Sequence, residues 1–137
     1  MIFVDTSIWF DAVAGTTSRA ERASQALNGH RGQLASSAAV LTELWNLLAV
    51  RGHLHRATPV CLTVADGAEI LHAGPDDHAA ALAVLRGWAD QRFSYADALS
   101  FALMERERID AALTLDHHFR TYRYGPGRRR AFRVLPD

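Results

Sequence analysis

The chain has 137 residues, about half of them apolar, and a formal net charge of zero, which suits a folded domain rather than a disordered segment. All 15 cationic side chains are arginine, and the absence of lysine excludes P-loop phosphate binding, Schiff-base chemistry and lysine-assisted phosphoryl transfer. The lone Cys61 excludes an intrachain disulfide and, within Val60-Cys61-Leu62, reads as a buried structural thiol.

In chain order, the apolar run Ile2-Phe3-Val4 predicts a strand buried on both faces of a parallel sheet. Asp5-Thr6-Ser7 then offers helix N-caps for the segment opening Ile8-Trp9-Phe10. Residues 18–28 predict an amphipathic helix stopped by Gly29, and 33–36 a short second strand. The helical spacing of Val40, Leu41, Leu44, Leu47 and Leu48 predicts a helix over 38–50. A further helix is expected over 54–65, with Pro59 in its first turn or at a break. Residues 69–72 predict a third strand, and 76–89 a helix with Pro75 at its start. A helix over 95–108, a fourth strand at 111–114 and a fifth at 131–135 complete the list. Trp9, Trp45 and Trp88 sit among apolar residues and are expected to pack in the core.

Short apolar strands alternating with helices point to an α/β sandwich with a central parallel sheet. No repeat or linker interrupts it, so one domain over 1–137 is expected. No secretory leader precedes Asp5, and no apolar stretch nears the roughly 20 residues that span a bilayer. A soluble, cytoplasmic protein is the resulting expectation.

In parallel α/β sheets, sites form at the carboxyl ends of strands. Asp5 follows the first strand and Asp116 follows the fourth after one spacer. Alone, either acid is better explained as turning the chain or capping a helix; together, at equivalent ends of two core strands, they favour a shared site. Glu43 interrupts an apolar helical face. Asp97 stands third after Ser94, where a capping box competes with a role in the site. Converging carboxylates resist ionising together unless a hard divalent ion occupies the gap, and Mg²⁺ or Mn²⁺ takes such oxygen ligands. His117-His118 beside Asp116 raises zinc, but adjacent histidines are expected to point apart and no partnering Cys or His pattern is present. His118 is expected to contact a bound substrate or to pack under the next turn.

Charge is unevenly spread. Residues 1–119 carry nine Arg against 14 acids, whereas 120–137 carry six Arg and one acid. This basic end suits phosphate binding and equally suits a solvated loop.

Read in order, the four acids lie in motifs that resemble those of the PIN-domain ribonucleases. These are Ile2-Phe3-Val4-Asp5-Thr6-Ser7, Leu41-Thr42-Glu43-Leu44, Ser94-Tyr95-Ala96-Asp97-Ala98-Leu99-Ser100 and Leu113-Thr114-Leu115-Asp116-His117-His118-Phe119. The closing Val134-Leu135-Pro136 is similar to the usual end of such domains. The resemblance covers the whole chain, and stand-alone domains of this size are mostly VapC-type toxins of type II toxin–antitoxin pairs. It implies a three-layer α/β/α sandwich with a central, mostly parallel sheet of about five strands, Mg²⁺-dependent endonucleolytic cleavage of RNA, homodimerisation and inhibition by a cognate antitoxin. It also implies that Asp5 and Asp97 are the most direct metal ligands, that Glu43 and Asp116 complete the site, and that Thr114 with Thr6 or Ser7 holds the carboxylates in place. The alternatives are a non-catalytic PIN-like binding module and a phosphatase or receiver-like domain; the common designs of the latter need the missing lysine. The Arg-rich stretch 120–130 departs from the family pattern.

Overall fold

The computed structural model describes residues 1–136. Asp137, counted above in the charge of the basic end, lies outside the described residues. The strands are β1 (Ile2–Val4), β2 (Leu34–Ser37), β3 (Glu69–Leu71), β4 (Ala111–Leu113) and β5 (Arg133–Leu135). The helices are α1 (Thr6–Ala14), α2 (Thr17–Gly29), α3 (Ala38–Val50), α4 (Leu54–Gly67), α5 (Pro75–Gly87), α6 (Tyr95–Glu107) and the short α7 (His118–Thr121).

Every strand pairing is parallel, in the order β3-β2-β1-β4-β5. The chain first winds outward from β1 through β2 to β3, then returns past β1 to β4. Right-handed crossovers therefore place the helices of the two halves on opposite faces, giving the three-layer arrangement. β1 and β4 are buried throughout, as their unbroken apolar sequences require. Edge strands β3 and β5 each keep an exposed charged residue, Glu69 and Arg133. Phe3, Ile8, Leu44, Leu48, Phe101, Leu113 and Phe119 are fully buried and anchor the core.

Several local expectations need correction. Pro59 lies well inside α4, not in its first turn or at a break. Packing of α4 along α3 sustains the helix despite the lost N–H, and the Thr63 hydroxyl donates to the Pro59 carbonyl at 3.1 Å. Trp9 is buried, but Trp45 is 38% exposed, its indole donating to Thr58 Oγ1 at 3.2 Å, and Trp88 is only half-buried. Cys61 is likewise only half-buried; its thiol reaches the Leu41 carbonyl at 3.7 Å, and desolvation raises its pKa. The fifth strand is shorter than expected, and α7 fills the turn after β4.

Candidate active site

The winding direction reverses at β1, so the carboxyl ends of β1 and β4 border a crevice where ligands bind in open α/β sheets. The register brings two polar segments together there. The Asp5 amide donates to the Leu113 carbonyl at 3.0 Å, and the Thr114 amide to the Leu135 carbonyl at 2.9 Å. Asp5 and Thr114 thus extend adjacent strands by one residue each.

The hydroxyls expected to cap α1 have other partners. Asp5 occupies the N-cap position but makes no side-chain cap bond. Its Oδ2 instead accepts from Ser7 Oγ and from Thr114 Oγ1, both at 3.0 Å. Ser7 Oγ in turn accepts from the Leu115 amide at 3.0 Å, and Thr114 Oγ1 from the Asp116 amide at 2.9 Å. Each hydroxyl uses its one proton on Asp5 and a lone pair on the β4–α7 turn. Two hydroxyls therefore lock the ends of β1 and β4 into one rigid unit.

Asp97 enters from the first turn of α6. The capping box is present in full: Ser94 Oγ accepts from the Asp97 amide, and Asp97 Oδ2 accepts from the Ser94 amide, both at 3.0 Å. Capping and site membership do not compete, because the same Oδ2 also lies 2.8 Å from His118 Nδ1. That nitrogen is 3.2 Å from Asp116 Oδ2, while the His118 amide donates to Asp116 Oδ1 at 2.9 Å. The His118 ring nitrogen therefore sits within hydrogen-bond reach of both carboxylates and bridges Asp97 to Asp116. Phe93 packs edge-on against the ring at 5.3 Å and fixes its plane.

Glu43 sits further out. Its Oε1 accepts from the Thr6 hydroxyl, so it reaches Asp5 through the neighbouring residue. With Ala96 it lines a groove beside Asp97. The structure therefore brings Asp5, Asp97 and Asp116 into one electrostatic cluster and leaves Glu43 at its rim.

Burial, and next the charge of Asp97, push the Asp5 carboxyl up to about 6, against the pull of the Thr114 and Ser7 hydroxyls and the Thr6 amide. Asp97 is raised by burial first; its bond to Ser94 opposes this, Asp116 adds to it, and His118 opposes it. Two buried acids that resist ionisation, Asp5 oriented by hydroxyls and Asp97 by the Ser94 amide and the His118 ring, form an oxygen donor set that a hard divalent cation fits. The ligand atoms of Asp116, His117 and His118 also lie within 4.8 Å of one another. Contrary to expectation, the two histidines do not point apart: their ring centroids are 4.5 Å from each other, because the chain turns into α7 there. His118 Nδ1 is nevertheless already engaged by the carboxylates of Asp97 and Asp116 and His117 is largely exposed, so this trio is a poor soft-metal site.

A cavity of about 690 Å³ lies elsewhere, against Trp9, Val13, Leu27 and Val60 of α1, α2 and α4, and holds none of the four acids. The part of the site that sequence reading missed is His118 as the link between two acids. Its spacing two residues after Asp116, the spacing of an Asx turn, was the available signal.

The PIN-domain family model matches residues 2–123. No curated protein sequence matches the chain. Among solved structures, the chain is similar to VapC20 of Mycobacterium tuberculosis, a toxin that cleaves the sarcin–ricin loop, with 26% identity and a TM-score of 0.82 over 88% of this chain and 94% of that one. A toxin–antitoxin complex from Klebsiella pneumoniae gives 20% identity and a TM-score of 0.64 over 85% and 88% of the respective chains. VapBC2 of Rickettsia felis, bound to a fragment of promoter DNA, gives 17% and 0.61 over 88% and 92%. The latter two likenesses concern the fold alone.

Proposed function

This chain belongs to the PIN-domain family, and we propose that it is a Mg²⁺-dependent endoribonuclease, the toxin of a toxin–antitoxin pair, with Mn²⁺ able to substitute. One observation carries the reading. Asp5, Asp97 and Asp116, from three separate segments, converge at the carboxyl ends of β1 and β4, where their mutual repulsion and burial leave them short of positive charge. The likeness to VapC20 supports the toxin assignment.

In this reading Asp5 and Asp97 hold the metal most directly, with Asp116 and Glu43 completing the acidic site. When bound, such an ion polarises a phosphodiester and lowers the pKa of an attacking water. The chain's own residues supply the preorganisation. Ser7 and Thr114 fix the Asp5 carboxylate, Ser94 and His118 fix that of Asp97, and Thr6 fixes that of Glu43. His118, within hydrogen-bond reach of both Asp97 and Asp116, holds these two carboxylates in a fixed relation. The partners are an RNA substrate, a cognate antitoxin and a second copy of the chain. The antitoxin follows from the toxin reading, which the likeness to VapC20 supports. A single domain acting in the cytoplasm completes the proposal.

Incubating the chain with RNA in Mg²⁺, in Mn²⁺ and in EDTA tests it. Cleavage in both metals and none in chelator is expected. Undiminished cleavage in metal-free solution would overturn the mechanism, and RNA binding without cleavage in either metal would make the chain a non-catalytic module.

A further inference from the structure

The six arginines of the basic end do not form one class. Arg123 is folded inward, its Nη1 donating to the carbonyls of Arg120, Thr121 and Tyr122 at the end of α7. Arg128 is an anchor. Its guanidinium lies 4.5 Å over the Trp88 ring and donates to the Gly87 carbonyl at 3.3 Å. Gly87 leaves room for it, since a Cβ there would stand 3.0 Å from Arg128 Nη2.

The hairpin carrying these residues is built, not slack. Tyr124 and Arg130 exchange both backbone hydrogen bonds at 3.0 Å and close the loop. Gly125 and Gly127 turn it at positive φ, and Arg128 itself sits at φ 53°, a costly conformation for a residue with a side chain. The Arg130 stem packs over Gly125, where a Cβ would meet its Cδ at 3.0 Å. Arg129 and Arg130 stand exposed on this hairpin, as does Arg120 on α7. Among the described residues their guanidinium groups have no hydrogen bond or ion pair. From Arg128 a line of ring contacts runs through Trp88 and Phe93 to His118 and so to Asp97, which ties the hairpin rigidly to the acidic cluster.

We propose that the Gly125–Arg130 hairpin is a backbone-binding element for single-stranded RNA, with Arg128 positioning it and Arg129, Arg130 and Arg120 taking phosphates. The proposal rests on the ribonuclease reading for its substrate class. The planar fork of arginine matches phosphate oxygens in pairs, and the acidic cluster needs such cations nearby to hold a polyanion over it. An RNA strand is favoured over an acidic protein because the hairpin is coupled through packed rings to the cluster where phosphates would react.

The test uses a fluorescent single-stranded RNA oligonucleotide, bound in EDTA over a salt series, with cleavage in Mn²⁺ measured in parallel. Arg129→Gln with Arg130→Gln should weaken binding and make the slope of log K against log salt shallower by about 1.4, at about 0.7 per phosphate contact on a single strand. Arg120→Gln alone should change the slope by about 0.7. Both variants alter exposed side chains, so an unchanged melting temperature is expected and verifies the fold. If the wild-type chain cleaves RNA and the double variant keeps its salt slope, the hairpin proposal is wrong while the ribonuclease reading survives. If the slope falls but the wild-type chain cleaves nothing, the hairpin stands and the ribonuclease reading falls. An unchanged RNA slope with lost binding to polyglutamate would overturn the proposal in favour of an acidic protein partner.

Discussion

The Thr114 hydroxyl donates to Asp5 Oδ2 at 3.0 Å across 109 residues of sequence while accepting the Asp116 amide at 2.9 Å. One side chain thereby sets the position of one carboxylate and the turn that delivers another. Thr114→Val keeps the shape and removes both bonds. It should lower divalent-metal affinity and RNA cleavage by roughly 10- to 100-fold, the usual effect of losing a support to a metal ligand. Thr114→Ser should restore most of both. Mn²⁺ titration calorimetry and a cleavage assay measure this; full activity in the Val variant would remove Thr114 from the site.

Asp97 separates function from stability. Asn at this position still accepts from the Ser94 amide and still caps α6. The charge it removes is one that burial and Asp116 disfavour. Asp97→Asn should therefore abolish cleavage yet leave the metal-free protein as stable as before, or more stable by roughly 1 kcal/mol. Melts in EDTA paired with RNA cleavage decide the matter. Retained cleavage would show that Asp97 only caps its helix.

Asp5 makes a pH prediction whose sign is fixed. Its carboxyl stands at about 6 in the folded metal-free chain against an ordinary value of 3.8, so the native state holds the proton more tightly. The favourable contribution of its protonated form is complete below about pH 4 and is lost as pH rises through 6. At pH 7 the ionised, buried group costs up to about 3 kcal/mol. Asp5→Asn should accordingly gain stability over wild type as pH rises from 4 to 7 in EDTA, and cleave no RNA. Urea unfolding at several pH values measures the difference; a gap that narrows with rising pH would contradict it.

Among the described residues, Glu43 reaches the cluster through Thr6. Glu43→Gln keeps an oxygen for the Thr6 hydroxyl but removes a charge, and Glu43 is half-buried, so folding stability should change by less than about 0.5 kcal/mol. Cleavage should fall roughly 10- to 100-fold, less than for Asp97→Asn. Equal losses at the two positions would place Glu43 in the centre instead of at the rim.

Much of this arrangement is legible in the linear chain because periodicity and turn chemistry are local properties. The unbroken apolar runs of β1 and β4 announce strands buried on both faces, and Ser94-Tyr95-Ala96-Asp97 announces a capped helix start. Asp5 and Asp116, each just beyond a strand, mark the end of the sheet where a site can form. What the linear chain does not carry is the identity of partners fixed by register. Only the order β3-β2-β1-β4-β5 sets Thr114 beside Asp5, turns the hydroxyls of Thr6 and Ser7 from capping to holding carboxylates, and places His118 between Asp97 and Asp116. The same holds for the basic end, where six arginines look alike in sequence. Trp88 and Gly87, some forty residues earlier, engage Arg128 and leave Arg129 and Arg130 free of partners among the described residues. Hydrogen bonds and cation–π contacts depend on distances of a few ångströms between segments far apart in sequence, and those distances exist only once the sheet has closed its register.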